Sequence, residues 1–167
     1  MATKDILCFL EYFADRDSVI NESGNRTPTY QWQNFYQAAQ ALSVDTNATG
    51  SYFYLAFDVD GFGSSGASEI NDLSITAAAT AQLVDITDTA IGSDNLVIAS
   101  LYVQDAGQPE LDSGSAQLVS RYIGSIEGAT VDDVSVQWTV NPAINKLKPQ
   151  VPTRKITAGM LIRQFGS

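Results

Sequence analysis

"DVDGFGSSGASE", Asp58 to Glu69, sets acidic residues at the spacing of a calcium-binding loop. With Asp58 first, Asp60 is third, Gly63 sixth and Glu69 twelfth, the places of two ligands, a sharp turn and a bidentate carboxylate. Phe62 holds the fifth place, where a phenyl ring offers a cation nothing. The residues before the loop also read as a strand, where such a loop needs a helix. The expectation is a Gly/Ser hinge between two strands, with no metal. Two other carboxylate pairs lead no further. Asp132 and Asp133 are adjacent at a strand start, where neighbouring side chains point to opposite faces, and read as a solvated turn. Asp85 and Asp88 could share one helix face but have no third ligand beside them.

The chain contains no histidine, which excludes Ser-His-Asp and Cys-His catalysis and the common imidazole zinc sites. Its one cysteine, Cys8 in "ILCFLEYF", allows no internal disulfide and no cysteine cluster. A small buried hydrophobe is the expectation for it. No Gly-rich loop leads into a lysine, so there is no phosphate cradle. These absences point away from an enzyme and away from a cofactor, and leave carboxylate-only chemistry and magnesium or calcium binding as the alternatives.

With 44% hydrophobic and 17% charged residues in 167, the chain is long enough to close a core under a sparsely charged surface. No apolar run approaches the roughly 18 residues of a membrane span. The N-terminal "MATKDILCFLEYFADRD" lacks the basic flank and cleavage site of a secretory signal, so folding in a cytoplasm is expected. "NRT" at Asn25 and "NAT" at Asn47 match the glycosylation sequon but mean little without such a signal.

The elements that must position any site are short strands separated by turn residues. Asp5 to Ala14 reads as a strand, and "NESGNRTP" as a loop. "TYQWQNFYQAAQAL" is ambiguous between strand and helix, with extended structure favoured at its start. "DTNATG" is a turn and "SYFYLAFDVDG" one strand; "INDLSITAAA" alternates Ile70, Leu73 and Ile75 imperfectly. Leu83, Ile86 and Ala90 fall at helical spacing in "TAQLVDITDTAI". "NLVIASLYVQD" is apolar on both faces and is expected to be buried on both. After the long loop "AGQPELDSGSA", "LVSRYIGSIEGATVDDVSVQWTVNP" reads as two strands joined by a tight Gly-containing turn. In its second strand Val134, Val136, Trp138 and Val140 are expected on the core face, and Ser135, Gln137 and Thr139 on the other. Together these predict a mainly β protein, a barrel or sandwich with one short helix.

In order and spacing the segments resemble phage minor tail protein L and the related tail-hub proteins over nearly the whole chain. The resemblance is carried by "YQWQNFYQAA", with Trp32 and then Tyr36, and by "FDVDGFGSSGASEINDLSITAAA". The second resembles the family's strand, hinge and "P-x-L-T-x-x-N"-like strand, although the proline and final Asn are missing. "ITDTAIGSDNLVIASLYVQD" resembles its short helix and central strand. The hairpin quoted above, followed by "PTRKIT", resembles its final hairpin and Pro-rich turn. Longer members continue into a cysteine-rich region associated with an iron–sulfur cluster; this chain stops before it, so that cofactor is not carried over.

The resemblance implies one tail-tube-like β-barrel domain over residues 1–167, stacked as a ring in a phage tail tip or baseplate, a hub or tube initiator assembled in the host cytoplasm. Its partners would be copies of itself and neighbouring tail proteins, with DNA only passing through the lumen. Three copies suffice for a hub subunit with two barrels, whereas a one-barrel chain needs six to match a six-fold tube, so a hexamer is favoured over a trimer. The competing reading is a calcium- or carbohydrate-binding β-sandwich module that uses "DVDGFG" and exposed aromatics.

Charge is divided along the chain. The first 133 residues hold four basic and 19 acidic groups, −15, while the rest holds Lys146, Lys148, Arg154, Lys155 and Arg163 with no acid, +5. A net charge of −10 opposes phosphate binding. An acidic lining would let DNA slide past, and the basic, proline-containing tail (about 141–167) would dock on an acidic neighbour.

Overall fold

The computed structural model describes residues 3–62 and 72–142. Aromatic and β-branched alternation builds eight strands: β1 (Lys4–Phe13), β2 (Tyr30–Gln33), β3 (Phe53–Tyr54), β4 (Phe57–Asp60), β5 (Leu73–Ala78), β6 (Leu96–Asp105), β7 (Gln117–Val131) and β8 (Ser135–Pro142). They form one sheet in the order β3-β2-β1-β6-β7-β8-β5-β4. All neighbours are antiparallel except β2 and β3. The one α-helix among the described residues, α1 (Ala81–Ala90), precedes β6.

The sheet is curled into a half-barrel. β2 and β8 stand four strand spacings apart, about 19 Å across a flat sheet. Their indoles, Trp32 and Trp138, nevertheless approach to 6.4 Å between ring centroids. The chain also forces the curl covalently. "SYFYLAFDVDG", expected as one strand, is two: β3 and β4 occupy opposite edges of the sheet with only Leu55 and Ala56 between them. Three Cα steps span at most about 11 Å, so the edges must meet. The Leu55 N–H donates to the Gln33 carbonyl on one side (2.9 Å), and the Ala78 N–H donates to the Ala56 carbonyl on the other (3.1 Å).

Inside the curl lie Leu10, Trp32, Leu73, Ile75, Val97, Ile126 and Trp138, closed over by Leu83, Ile86 and Ala90 of α1. Thr80 caps the helix by accepting from the Leu83 N–H. Gly92, at φ 82°, follows its end. Thr87 fixes the helix to the sheet: its hydroxyl accepts from Trp138 Nε1 at 2.7 Å and donates to the Leu83 carbonyl. Buried Asn95 joins the helix end to β7, donating to the Ala90 carbonyl and accepting from the Ile126 N–H, each at 2.8 Å. On the outer face a second layer forms where residues 34–52 fold over β1 and β6, packing Tyr36, Leu42 and Tyr52 on Leu7, Phe9 and Tyr102.

The final hairpin departs from expectation in three ways. Its turn holds no glycine. Asp132 makes it by accepting from the N–H groups of Val134 (2.8 Å) and Ser135 (2.7 Å). Gly128 instead lies within β7, at a register shift between Ile126 and Gly128. Val134 is in the turn, 77% exposed, and is no core residue; Val136, Trp138 and Val140 are buried as expected. β8 runs to Pro142, so Asn141 and Pro142 belong to the sheet rather than to the tail.

Candidate interaction surfaces

Among the described residues one group of facing charges lies in the interior, and it was not foreseen from the sequence. Glu11 on β1 is 2% exposed and accepts from Arg26 Nε (2.9 Å) and the Tyr52 hydroxyl (2.8 Å). Arg26 Nη2 reaches Asp45 at 2.6 Å, and Arg121 on β7 reaches the same Asp45 oxygen at 2.7 Å. Arg121 Nε also donates to Ser100 Oγ. Burial opposes the Asp45 charge, but the hydrogen bonds from Arg26 and the Asn47 N–H outweigh it and hold its carboxyl below the usual range. Burial and the Glu11 carboxylate together push the Tyr52 phenol up. Two cations face two carboxylates and every member is bonded, so the cluster clamps loop 34–52 to the sheet and offers no free group for chemistry. Its signals in the sequence were a Glu inside the apolar run "CFLEYF" and the isolation of Arg26 and Arg121 in an acidic chain.

The other two described cations are paired as well. Lys4 bonds Asp105, and Arg16 Nε lies 3.4 Å from Asp94. Cys8 is buried, and burial together with the Asp58 charge pushes its thiol up to about 12, far from a nucleophile.

The calcium spacing lies only partly within the described residues. Asp58 and Asp60 are exposed on β4, Phe62 packs against the core, and Gly63 and Glu69 lie outside the described residues. Asp85 and Asp88 are exposed on α1. No three acidic or cysteine side chains are grouped for a metal among the described residues. Lys146, Lys148, Arg154, Lys155 and Arg163 also lie outside them, as does Ile70.

Two surfaces remain. The first is the outer face of β4, β5, β8 and the end of β7, which no other part of the described chain covers. Cross-strand register lines up Asp58, Thr76, Gln137 and Thr130 in one row and Asp60, Ser74, Thr139 and Gly128 in the next. Gln137 Nε2 donates to Ser74 Oγ between the rows at 2.9 Å. The face is hydroxyl-rich and carries no basic group, with the carboxylates of Asp58 and Asp60 on its β4 border. The second is a cleft of about 500 Å³ at the opposite edge, between β2, β3 and α1.

No protein-family model matches the chain, and no curated protein matches it. No helix among the described residues is long and apolar enough to cross a membrane.

Proposed function

We propose that the chain is a structural component of a bacteriophage tail tip or baseplate, assembling as a ring, with six copies favoured, that joins the tail tube to distal tail proteins. The observation that carries this reading is the uncovered face of β4, β5, β8 and β7. Its Ser, Thr and Gln side chains run across β5, β8 and β7, bordered by Asp58 and Asp60 on β4, with no basic group among the described residues. Such a face serves a passage through which a polyanion slides without sticking, or a flat contact with the next subunit. The resemblance in segment order supports the same reading.

Charge supplies the means of assembly. All four described cations are taken up by ion pairs, while 18 of the 19 acidic residues lie among the described ones, so the folded body is strongly negative. The five basic groups after Pro142 are matched to such a body on an adjacent copy or ring. Exposed pairs are individually weak and are screened beyond about 8 Å at physiological salt, so several act together.

Light scattering after size exclusion tests the reading. The parent is expected to form a ring whose population rises with concentration. Replacing Lys146, Lys148, Arg154 and Lys155 with Gln should weaken that assembly and leave the thermal midpoint in place. A parent that stays monomeric at every concentration, with and without added tail partners, refutes the ring.

A further inference from the structure

The cleft between β2, β3 and α1 has a lining unlike the rest of this acidic surface. Tyr30 and Trp32 stand side by side along one wall, their rings 5.8 Å apart and within 16° of parallel. Phe53 faces them from β3, 61% exposed, a large apolar ring that the fold leaves in water. The polar residues of the lining are Thr29, Gln31, Ser51 and Gln82. Gly50, at φ 73°, turns the chain so closely over Gln31 that a Cβ would meet its amide at 3.1 Å. No charged side chain lines the cleft.

We infer that this cleft is a binding site for a neutral saccharide. Amide and hydroxyl side chains both donate and accept hydrogen bonds, as sugar hydroxyls do. Exposed Phe53 and half-buried Tyr30 offer flat rings to the apolar C–H face of a pyranose, while Trp32, 4% exposed, backs the cleft from the core. The size suits a small ligand, since such sites run from roughly 300 to 1,000 Å³. A phosphate or nucleotide finds no cation here, because every described cation is paired elsewhere. A cation finds no carboxylate. An extended peptide would add to the sheet through main-chain bonds, and β3, the edge strand here, offers it only two residues, Phe53 and Tyr54. The site is distinct from the hydroxyl-rich face of β4, β5, β8 and β7 and does not depend on ring assembly.

Of the two tryptophans Trp32 lines the cleft and Trp138 lies beside it in the core, so indole emission follows the cleft through Trp32. The full chain is titrated with cellotetraose, chitotetraose and maltotetraose while indole emission is followed. At least one should give a saturable change in the millimolar range or below. Phe53→Ala and Gln82→Ala, both at exposed positions, should weaken it about tenfold or more at an unchanged thermal midpoint. Phe53→Trp should restore it by returning an aromatic face. The absence of saturable binding for all three sugars overturns the inference, and so does binding that both alanine variants leave intact. Saturable binding of a proline-rich peptide, sensitive to the same variants and unmatched by any sugar, overturns it in favour of a peptide groove.

Discussion

β1 and β6 are buried on both faces, whereas β5 and β8 bury every second residue and show the others to solvent. The difference comes from loop 34–52, with Val19 and Leu111 beside it, which covers one half of the sheet, while no described residue covers the other. Covering a sheet face has a consequence for its polar residues. Glu11, Ser100 and Gln104 in the covered half are almost fully buried and therefore need partners inside the protein. Glu11 and Ser100 find theirs in the arginine clamp, and Gln104 bonds the Tyr36 hydroxyl and the Asp112 N–H. In the bare half Thr76, Thr130 and Thr139 are exposed and water satisfies them. One half thus spends its polar groups on stability and the other keeps them available for contact.

The sharpest way to break this contrast is Glu11→Ala. It removes a carboxylate from Arg26 and a partner from Tyr52 in a dry site, and should lower stability by roughly 3–5 kcal/mol, read as a large fall in the urea midpoint. A midpoint that stays in place would mean the clamp is not structural. The next effect is one of pH. The folded-state carboxyl of Asp45 sits below its ordinary value, so the unfolded chain takes up the proton more readily. Its contribution is complete above the unfolded value of about 3.9 and fades as pH falls through the lower folded value. Asp45→Asn should therefore be less stable than the parent at neutral pH, the gap narrowing as urea midpoints are taken down to about pH 2. Asp112 and Asp132 shift in the same direction but are common to both proteins, so the difference isolates Asp45. A gap that is constant with pH would remove Asp45 from the acid limb. The smallest effect belongs to the bare half: Gln137→Ala should change stability by no more than about 0.5 kcal/mol. A loss approaching that of Glu11→Ala would show that this face is covered in the folded protein.

How much of this was legible depends on the range over which each feature is decided. Leu83, Ile86 and Ala90 announced α1 because one turn of helix already repeats the buried stripe. Val136, Trp138 and Val140 announced a core face because a strand repeats in two residues, and the doubly apolar β6 announced burial on both sides. The same alternation misplaced Val134, since a pattern of side does not say where a strand begins; the carboxylate of Asp132 decided that by capturing two N–H groups. It also misread β3 and β4 as one strand, because nothing local in "YFYLAFDV" shows that the sheet's two edges meet at Leu55 and Ala56.

By itself the sequence determined a mainly β chain with one helix, a strongly acidic body, a basic final segment and the impossibility of histidine chemistry. Those properties follow from composition and from patterns a few residues long. Only the tertiary structure decided which face of the sheet is covered, and that Glu11, Arg26, Asp45 and Arg121 form one clamp. It alone set Tyr30, Trp32 and Phe53 around a single cleft. These join residues up to 110 positions apart along the chain, and curling the sheet is what brings them together.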